Sequence, residues 1–191
     1  MKKLMTRLFA LTCALLITLT ILLPVSARED DFDLGKNLYS TNYIFLDADT
    51  GQILDAKKQD EQISIASLTK MMTVLLAIEN SSSLNENITI TDEMIAGLYE
   101  EQASVAGYIS GDVATLLDLC YAAAVPSAAD AANALALQIG GSFEKFYQMM
   151  NNKAAELGMN HTVFKSAHGL DRDGQYSTVE DMSKLLRYAL Q

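Results

Sequence analysis

The stretch SIASLTKMMT, Ser64 to Thr73, places one cation, Lys70, three residues after Ser67 in a run that is otherwise uncharged. From Ser67 to Asn80, apolar residues lie around nearly the whole helical circumference, which predicts a helix buried at the centre of a domain. Side chains three apart on a helix are neighbours on one face. We therefore expect the Ser67 hydroxyl and the Lys70 amine to meet.

This pairing has a chemical reading and a plainer structural one. A serine hydroxyl is a weak nucleophile until a base takes its proton, and a lysine is such a base only when its amine is neutral. With an unperturbed pKa near 10.4, about one lysine in 2,500 is neutral at pH 7. Lowering that pKa to about 7 takes about 4–5 kcal/mol, which burial can supply.

The position of Ser67 adds to the chemical reading, since the start of a helix favours negative charge developing on an attacked carbonyl. In the structural reading, Ser67 caps the helix while Lys70 extends its charge to solvent. The pattern alone leaves both open, because Ser-x-x-Lys arises by chance in many chains.

Around this helix the sequence predicts a β-hairpin and further helices. NYIFLDADTGQILDAK (42–57) alternates around an Asp-Thr-Gly turn, as a hairpin does, and NITITDEM (87–94) is a short β-like piece. Helices are predicted over about 113–124, 127–141, 142–158 and 178–191, the first two separated by Pro126. The expected caps are Ser142 and Gly158 for the third helix and Ser177 or Thr178 for the fourth.

No strand is predicted after residue 100, although a lone hairpin needs partner strands to be stable. The chain also stops within a predicted helix at Gln191. We therefore expect a truncated form of a longer protein, and we expect residues 28–191 to be unstable when expressed alone.

The N-terminus predicts export. Residues 1–27 read as a signal peptide cleaved after Ala27, because three cations precede an uncharged apolar run and small residues close it. An uncleaved membrane anchor is the alternative, but the run from Leu8 to Leu23 is short for a span of about twenty residues. Cleavage leaves 11 Lys and Arg against 24 Asp and Glu, a net charge of −13, which argues against nucleic acid as a partner.

Residues 28–40 are charged and unpatterned and predict an exposed lead-in. Of the two cysteines, Cys13 lies in the predicted signal peptide, so no internal disulfide is expected in the mature chain. Cys120 follows an apolar helical pattern and is predicted to be a packed core residue rather than a nucleophile.

Several segments together resemble one known family, the serine-type D-alanyl-D-alanine carboxypeptidases, or low-molecular-mass penicillin-binding proteins. In the family's order they are ASLTKMMT (66–73), VPSAADAANALA (125–136), NHTVFKSAHGLD (160–171) and YSTVEDMSKLLRYAL (176–190), and the hairpin looks like the start of the family's domain. The resemblance implies an α+β, β-lactamase/transpeptidase-like fold, with an antiparallel sheet beside a helical lobe. That fold would be incomplete here, with residues 41–191 as the N-terminal part of the peptidase domain.

The resemblance also implies a site and a reaction. Ser67 would be the acylated nucleophile, Lys70 the base that activates it, and Ser127 a proton relay in the family's Ser-x-Asn motif. The substrates would be peptidoglycan stem peptides ending in D-Ala-D-Ala, from which the terminal D-Ala is removed, and β-lactams would acylate the same serine. No metal or cofactor is implied. The setting would be the bacterial cell envelope, with roles in peptidoglycan biosynthesis and cell shape and with membrane attachment through a missing C-terminal segment.

Two departures from the family pattern matter. Ala129 stands where the second motif usually has Asn, which removes an amide expected to help hold the substrate and the lysine. Asn133 lies one turn further on and is a candidate replacement, although an asparagine on the helix surface is the plainer reading. The third motif, Lys-Thr-Gly, is absent from the sequence. Its strand would bind the substrate carboxylate and lend half of the oxyanion hole.

Because of these departures, two other functions remain alternatives. A non-catalytic muropeptide- or penicillin-binding module is the main alternative. A β-lactamase is a lesser one, because no glutamate lies in a context that resembles that class's carboxylate base. His168 invites a Ser-His reading, but the resemblance gives its loop a structural role, and His161 and His168 lack metal-ligand spacing.

Overall fold

The computed structural model describes residues 38–191, so the predicted signal peptide and most of the predicted lead-in lie outside the described residues. The predicted hairpin is confirmed. Strand β1 (Tyr43–Leu46) pairs antiparallel with β2 (Ile53–Lys57). In the turn, the Asp47 carboxylate accepts hydrogen bonds from the Thr50 backbone N–H and hydroxyl, both at 2.7 Å, and Gly51 supplies a left-handed φ of 77°.

Six α-helices follow the hairpin within residues 38–191, and a 3₁₀ turn at Ala66–Leu68 leads into the first of them. They are α1 (Thr69–Asn80), α2 (Asp92–Ile95), α3 (Leu116–Ala124), α4 (Ala129–Gly140), α5 (Phe143–Glu156) and α6 (Val179–Ala189). Helix α1 contacts α3, α4, α5 and α6. Its inner face joins the core through Met72 and Leu76, beside Leu135 and Phe146.

The prediction that α1 is buried at the centre of the domain holds for only part of its circumference. Its outer face lines an open apolar groove of about 660 Å³ with Met71, Val74 and Leu75. At the rim of this groove, Leu68 is 49% exposed and Ile78 is 50% exposed. The described residues pack against one side of α1 only, so its all-round apolar pattern is not matched by all-round burial.

Two predictions about the middle of the chain are also wrong. The helix predicted to begin at Val113 begins at Leu116, because Val113–Thr115 form strand β4, which pairs antiparallel with β3 (Asn87–Thr89). A strand therefore does exist after residue 100. It belongs to a second two-stranded sheet rather than to the hairpin. Thr115 ends this strand and caps α3, its hydroxyl accepting from the Asp118 N–H at 3.1 Å.

The predicted boundaries of the later helices agree better with the structure. Pro126 lies between α3 and α4 as expected. Ser142 caps α5 by accepting from the Lys145 N–H at 3.3 Å, and Thr178 is the cap of α6, since its hydroxyl accepts from the Asp181 N–H at 3.0 Å. None of the helices in residues 38–191 combines the length and the apolar character that a membrane crossing needs.

Candidate active site

The structure brings the three predicted side chains together around the Lys70 amine. Lys70 Nζ lies 3.2 Å from Ser67 Oγ and 3.2 Å from Ser127 Oγ. It also donates a hydrogen bond to the backbone oxygen of His168 at 2.7 Å. One amine therefore links two hydroxyls that are 60 residues apart in sequence, as their numbers show.

Ser67 and Lys70 differ in their exposure to solvent. Ser67 lies in the 3₁₀ turn that precedes α1 and is exposed to solvent. Lys70 is in the first turn of α1 and only 6% exposed. Its burial lowers the pKa of the amine below the usual 10.5, because removal from water penalises the charged form. The neutral amine is thus more populated than in a free lysine.

Strained backbone flanks the amine on both sides. Ala66, directly before Ser67, has a φ of 44°, and Ser127, directly after Pro126, has a φ of 62°. Residues other than glycine rarely adopt these left-handed values, which cost about 1–3 kcal/mol each and concentrate at functional sites. At Ser127 this conformation accompanies a hydroxyl that reaches Lys70 from the start of α4.

The loop 166–170 forms the floor under the lysine. Its carbonyl oxygens accept two hydrogen bonds from α1: Ala167 from Thr73 Oγ1 at 2.6 Å, and His168 from Lys70. Gly169 has a φ of 87°, and a Cβ there would overlap the Ala66 carbonyl oxygen and come within 2.6 Å of its carbon. The turn that carries Ser67 therefore packs directly on a glycine.

The His168 imidazole is not a partner of Ser67. Its Nδ1 accepts a hydrogen bond from the Leu170 N–H at 3.2 Å, which requires an unprotonated nitrogen. Burial, together with the charges of Arg172 and Lys70, lowers its pKa from 6.5 to about 4. The ring is therefore neutral, and the contribution of His168 to the site is its backbone oxygen.

These groups line a small cleft of about 150 Å³ that contains Ser67, Lys70 and Ser127. Two further segments line it, residues 102–104 and residues 168–170, and each is called here a wall of the cleft. The segments that carry the two walls are joined by an ion pair, in which Arg172 donates to both Glu101 carboxylate oxygens at 3.0 and 2.8 Å. The wall 102–104 carries no motif in the sequence, and it comes next to Ser127 only through the fold.

The second motif differs from its expected surroundings. Ala129 is buried, and its N–H donates to the Ser104 carbonyl at 2.7 Å. The reading of Asn133 as a surface residue is wrong, because it is 5% exposed and its Oδ1 has no hydrogen-bond partner among the described residues. Asn133 does not line the cleft and does not bond Lys70, so it does not take the place of the missing amide.

Within the described residues, neither a reactive thiol nor a metal-binding group of side chains accompanies the cleft. Cys120 is buried, and burial raises the pKa of its thiol to about 11, so it packs in the core rather than presenting a thiolate. Within residues 38–191, no three histidine, cysteine, aspartate or glutamate side chains are grouped so as to hold a metal ion.

A mixed helical and β fold with a serine beside a buried lysine points to the class of serine peptidases that pair these two residues. Residues 25–191 match the D-alanyl-D-alanine carboxypeptidase family. The chain belongs to this family, as the resemblance predicted.

Curated relatives agree with this assignment. The chain is 36% identical over 154 residues to the D-alanyl-D-alanine carboxypeptidase DacF of Bacillus subtilis, covering 76% of this chain and 38% of that protein. It is 34% identical over 151 residues to DacC of Escherichia coli, covering 75% and 37%. The chain thus spans less than two fifths of the length of these two relatives.

Solved structures are similar as well. A mutant of the DD-transpeptidase from Streptomyces strain K15 superposes with a TM-score of 0.76 at 31% identity, covering 79% of this chain and 61% of that one. Penicillin binding protein 6B from Escherichia coli gives a TM-score of 0.74 at 32% identity, covering 78% and 49%. These neighbours confirm the predicted transpeptidase-like fold, which is partial in this chain.

Proposed function

We propose that this chain carries the nucleophile, base and proton relay of a serine-type D-Ala-D-Ala carboxypeptidase. The observation that carries the proposal is the position of Lys70 Nζ, 3.2 Å from both Ser67 Oγ and Ser127 Oγ. The names of the relatives, D-alanyl-D-alanine carboxypeptidases, support the same substrate class. The substrate would be a peptidoglycan stem peptide that ends in D-Ala-D-Ala.

In the first half of the reaction, neutral Lys70 accepts the proton of Ser67 while Oγ attacks the carbonyl carbon of the penultimate D-Ala. The tetrahedral adduct then collapses, and the bond to the nitrogen of the terminal D-Ala breaks. That nitrogen receives the proton from Lys70 through the Ser127 hydroxyl, which lies within reach of the amine. D-Ala leaves as an amine, and Ser67 is left as an ester.

At the start of the second half Lys70 is neutral again, because it has given its proton to the leaving amine. A water molecule then attacks the ester carbonyl and gives a proton to Lys70. Lys70 returns this proton to Ser67 Oγ as the ester bond breaks, and the shortened peptide leaves as a carboxylic acid that ionises in water. Because burial lowers the pKa of Lys70, the acylation rate should rise with pH over a range that lies below the usual titration of lysine near 10.5. A β-lactam would acylate Ser67 by the same first half of the reaction, and the resulting ester would persist.

The test is labelling with a fluorescent penicillin, followed by D-Ala release from a D-Ala-D-Ala peptide. Wild type should take up one label on the peptide that contains Ser67 and should release D-Ala. Ser67→Ala should do neither. Ser81→Ala is the matched control, because it removes a hydroxyl at the opposite end of α1, where Ser81 follows the last helical residue.

The other outcomes discriminate between functions. Labelling of Ser67 without D-Ala release would favour a penicillin-binding module that does not turn over stem peptides. Rapid loss of the label from wild type would favour a β-lactamase. An unlabelled, folded wild type would overturn the acyl-enzyme proposal.

We also propose that the chain acts outside the cytoplasm, in the bacterial cell envelope. The support is the sequence of residues 1–27, with its cations, its apolar run and its small residues before position 28. Mass spectrometry of the envelope fraction from a bacterial host should find a mature N-terminus at Arg28. A full-length N-terminus in the cytoplasmic fraction would argue against export.

A further inference from the structure

The Asp130 carboxylate binds a run of backbone N–H groups beside the cleft. Oδ1 accepts from the Ala106 N–H at 3.0 Å, and Oδ2 accepts from the N–H groups of Gly107 and Tyr108 at 3.0 and 3.1 Å. Asp130 lies in the first turn of α4 and is 2% exposed. A buried carboxylate is costly to leave unpaired, and here three consecutive residues of one loop satisfy it.

Residues Ser104–Tyr108 are named the wall segment, because they continue from the wall 102–104 of the cleft. Asp130 bonds the last three of them. The first residue of the wall segment lines the cleft together with Ser67 and Ser127, and the segment contains no helix or strand. Its backbone therefore depends on outside contacts for its conformation. The residues that make those contacts decide how one wall of the cleft faces the nucleophile.

The Tyr108 side chain packs against the core, but both sets of hydrogen bonds to the backbone of the wall segment come from the residues just after Ser127. Ala129 donates its N–H to the Ser104 carbonyl at 2.7 Å, and Asp130 binds the other end of the segment. Ala129 contributes only a methyl group as a side chain. Asp130 is thus the side chain that ties the wall to the turn carrying Ser127.

We propose that Asp130 is a positioning residue for the proposed carboxypeptidase reaction. It fixes the wall segment against the Ser127 turn and so sets where a bound ligand lies relative to Ser67. It makes no bond to Ser67, Lys70 or Ser127 and would not touch the reacting atoms. The proposal rests on the function proposed above.

The test compares Asp130→Asn with wild type in the full 191-residue chain. Asparagine keeps the shape, but its NH₂ group replaces one carboxylate oxygen, so at least one wall N–H faces a donor instead of an acceptor. Asp118→Asn is the matched control, because Asp118 also accepts a backbone N–H in the first turn of a helix, from Thr115 at 3.1 Å, and does not line the cleft.

Two readouts are measured for each variant. The first is amide hydrogen exchange of residues 104–108. The second is acylation by a fluorescent penicillin as a function of penicillin concentration, normalised to folded protein and measured well below the melting temperature. This gives a half-saturating concentration and a limiting rate.

We expect faster exchange at 104–108 and a half-saturating concentration raised about tenfold in Asp130→Asn, the size that follows from losing one charge-assisted hydrogen bond. The limiting rate should stay close to that of wild type, since the groups around Lys70 are unchanged. Asp118→Asn should lower the melting temperature and leave both readouts unchanged.

A lower melting temperature alone, with wild-type exchange at 104–108 and wild-type half-saturation, would overturn the proposal, because Asp130 would then be merely structural. If wild type itself is not acylated, the carboxypeptidase proposal fails. Amide exchange at 104–108 then tests by itself whether Asp130 fixes the wall segment. Unchanged protection in Asp130→Asn overturns that claim, and faster exchange supports it.

Discussion

Acidification from pH 6.5 to about 4 is expected to destabilise the fold, in part through one side chain, His168. Burial, aided by the charges of Arg172 and Lys70, lowers its pKa from 6.5 to about 4. The geometry agrees with this direction, because Nδ1 accepts the Leu170 N–H and protonation of that nitrogen would break the bond. Replacing His168 by a residue that does not titrate should therefore remove part of the acid sensitivity.

The sign follows from where each state binds its proton. The unfolded chain protonates His168 near pH 6.5, whereas the folded chain does so only near pH 4. Between these values the unfolded state holds more protons than the folded state. The free energy of unfolding therefore decreases as the pH falls. The difference between the two pKa values corresponds to about 3 kcal/mol, fully present above pH 6.5 and lost by about pH 4.

The assay is urea unfolding between pH 4 and 7. In His168→Asn, Oδ1 is placed to accept the Leu170 N–H in place of Nδ1, and the side chain does not titrate in this range. From pH 7 to pH 4 the free energy of unfolding should decrease in both proteins. The decrease in the variant should be smaller than in wild type by about 3 kcal/mol. His161→Asn, which removes an imidazole at an exposed position, is the matched control. Parallel curves for wild type and His168→Asn would refute the reasoning.

Four other substitutions test packing and charge, each by urea unfolding. Gly169→Ala should lower the free energy of unfolding by more than about 2 kcal/mol and slow penicillin acylation, because a φ of 87° is combined with backbone overlap. Gly97→Ala is the control, since Gly97 has a φ of 74° but open space around it, and should cost only about 1 kcal/mol. Equal losses would contradict the close approach. Glu101→Gln should cost less than about 1 kcal/mol despite its two hydrogen bonds from Arg172, because both side chains are about 40% exposed. Lys153→Met should cost more than Glu101→Gln, because this mostly buried lysine pairs with two glutamates, and a smaller loss would argue against that pairing.

The sequence predicted the site best where its information is local. Ser67 and Lys70 are three residues apart, and the spacing alone placed one hydroxyl within reach of one amine. The caps of α5 and α6 were predictable for the same reason, since Ser142 and Thr178 bond N–H groups three residues ahead. Ser127 was different, because only the resemblance to a family connected it with a helix 57 residues away.

The missed features depend on partners distant in sequence or on backbone atoms. Strand β4 is three residues long, and its identity as a strand comes from pairing with β3, about 25 residues earlier. A three-residue piece next to a helical pattern is easily absorbed into that pattern, which is why the start of α3 was misplaced. The His168 carbonyl beneath Lys70 has no side-chain signature, because every residue has a backbone oxygen.

The replacement of the motif's asparagine by Ala129 shows how these backbone contacts change the chemical interpretation. A neutral Lys70 amine has two N–H donors and one lone pair. In the neutral form the His168 oxygen at 2.7 Å and Ser127 Oγ at 3.2 Å can accept the two donors, which leaves the lone pair for the Ser67 hydroxyl at 3.2 Å. Every bonding position of the amine is therefore filled without an amide at 129. Lys70 therefore keeps its place beside Ser67 without that amide, and we expect the effect of Ala129 to fall on ligand binding in the cleft rather than on the proposed activation of Ser67.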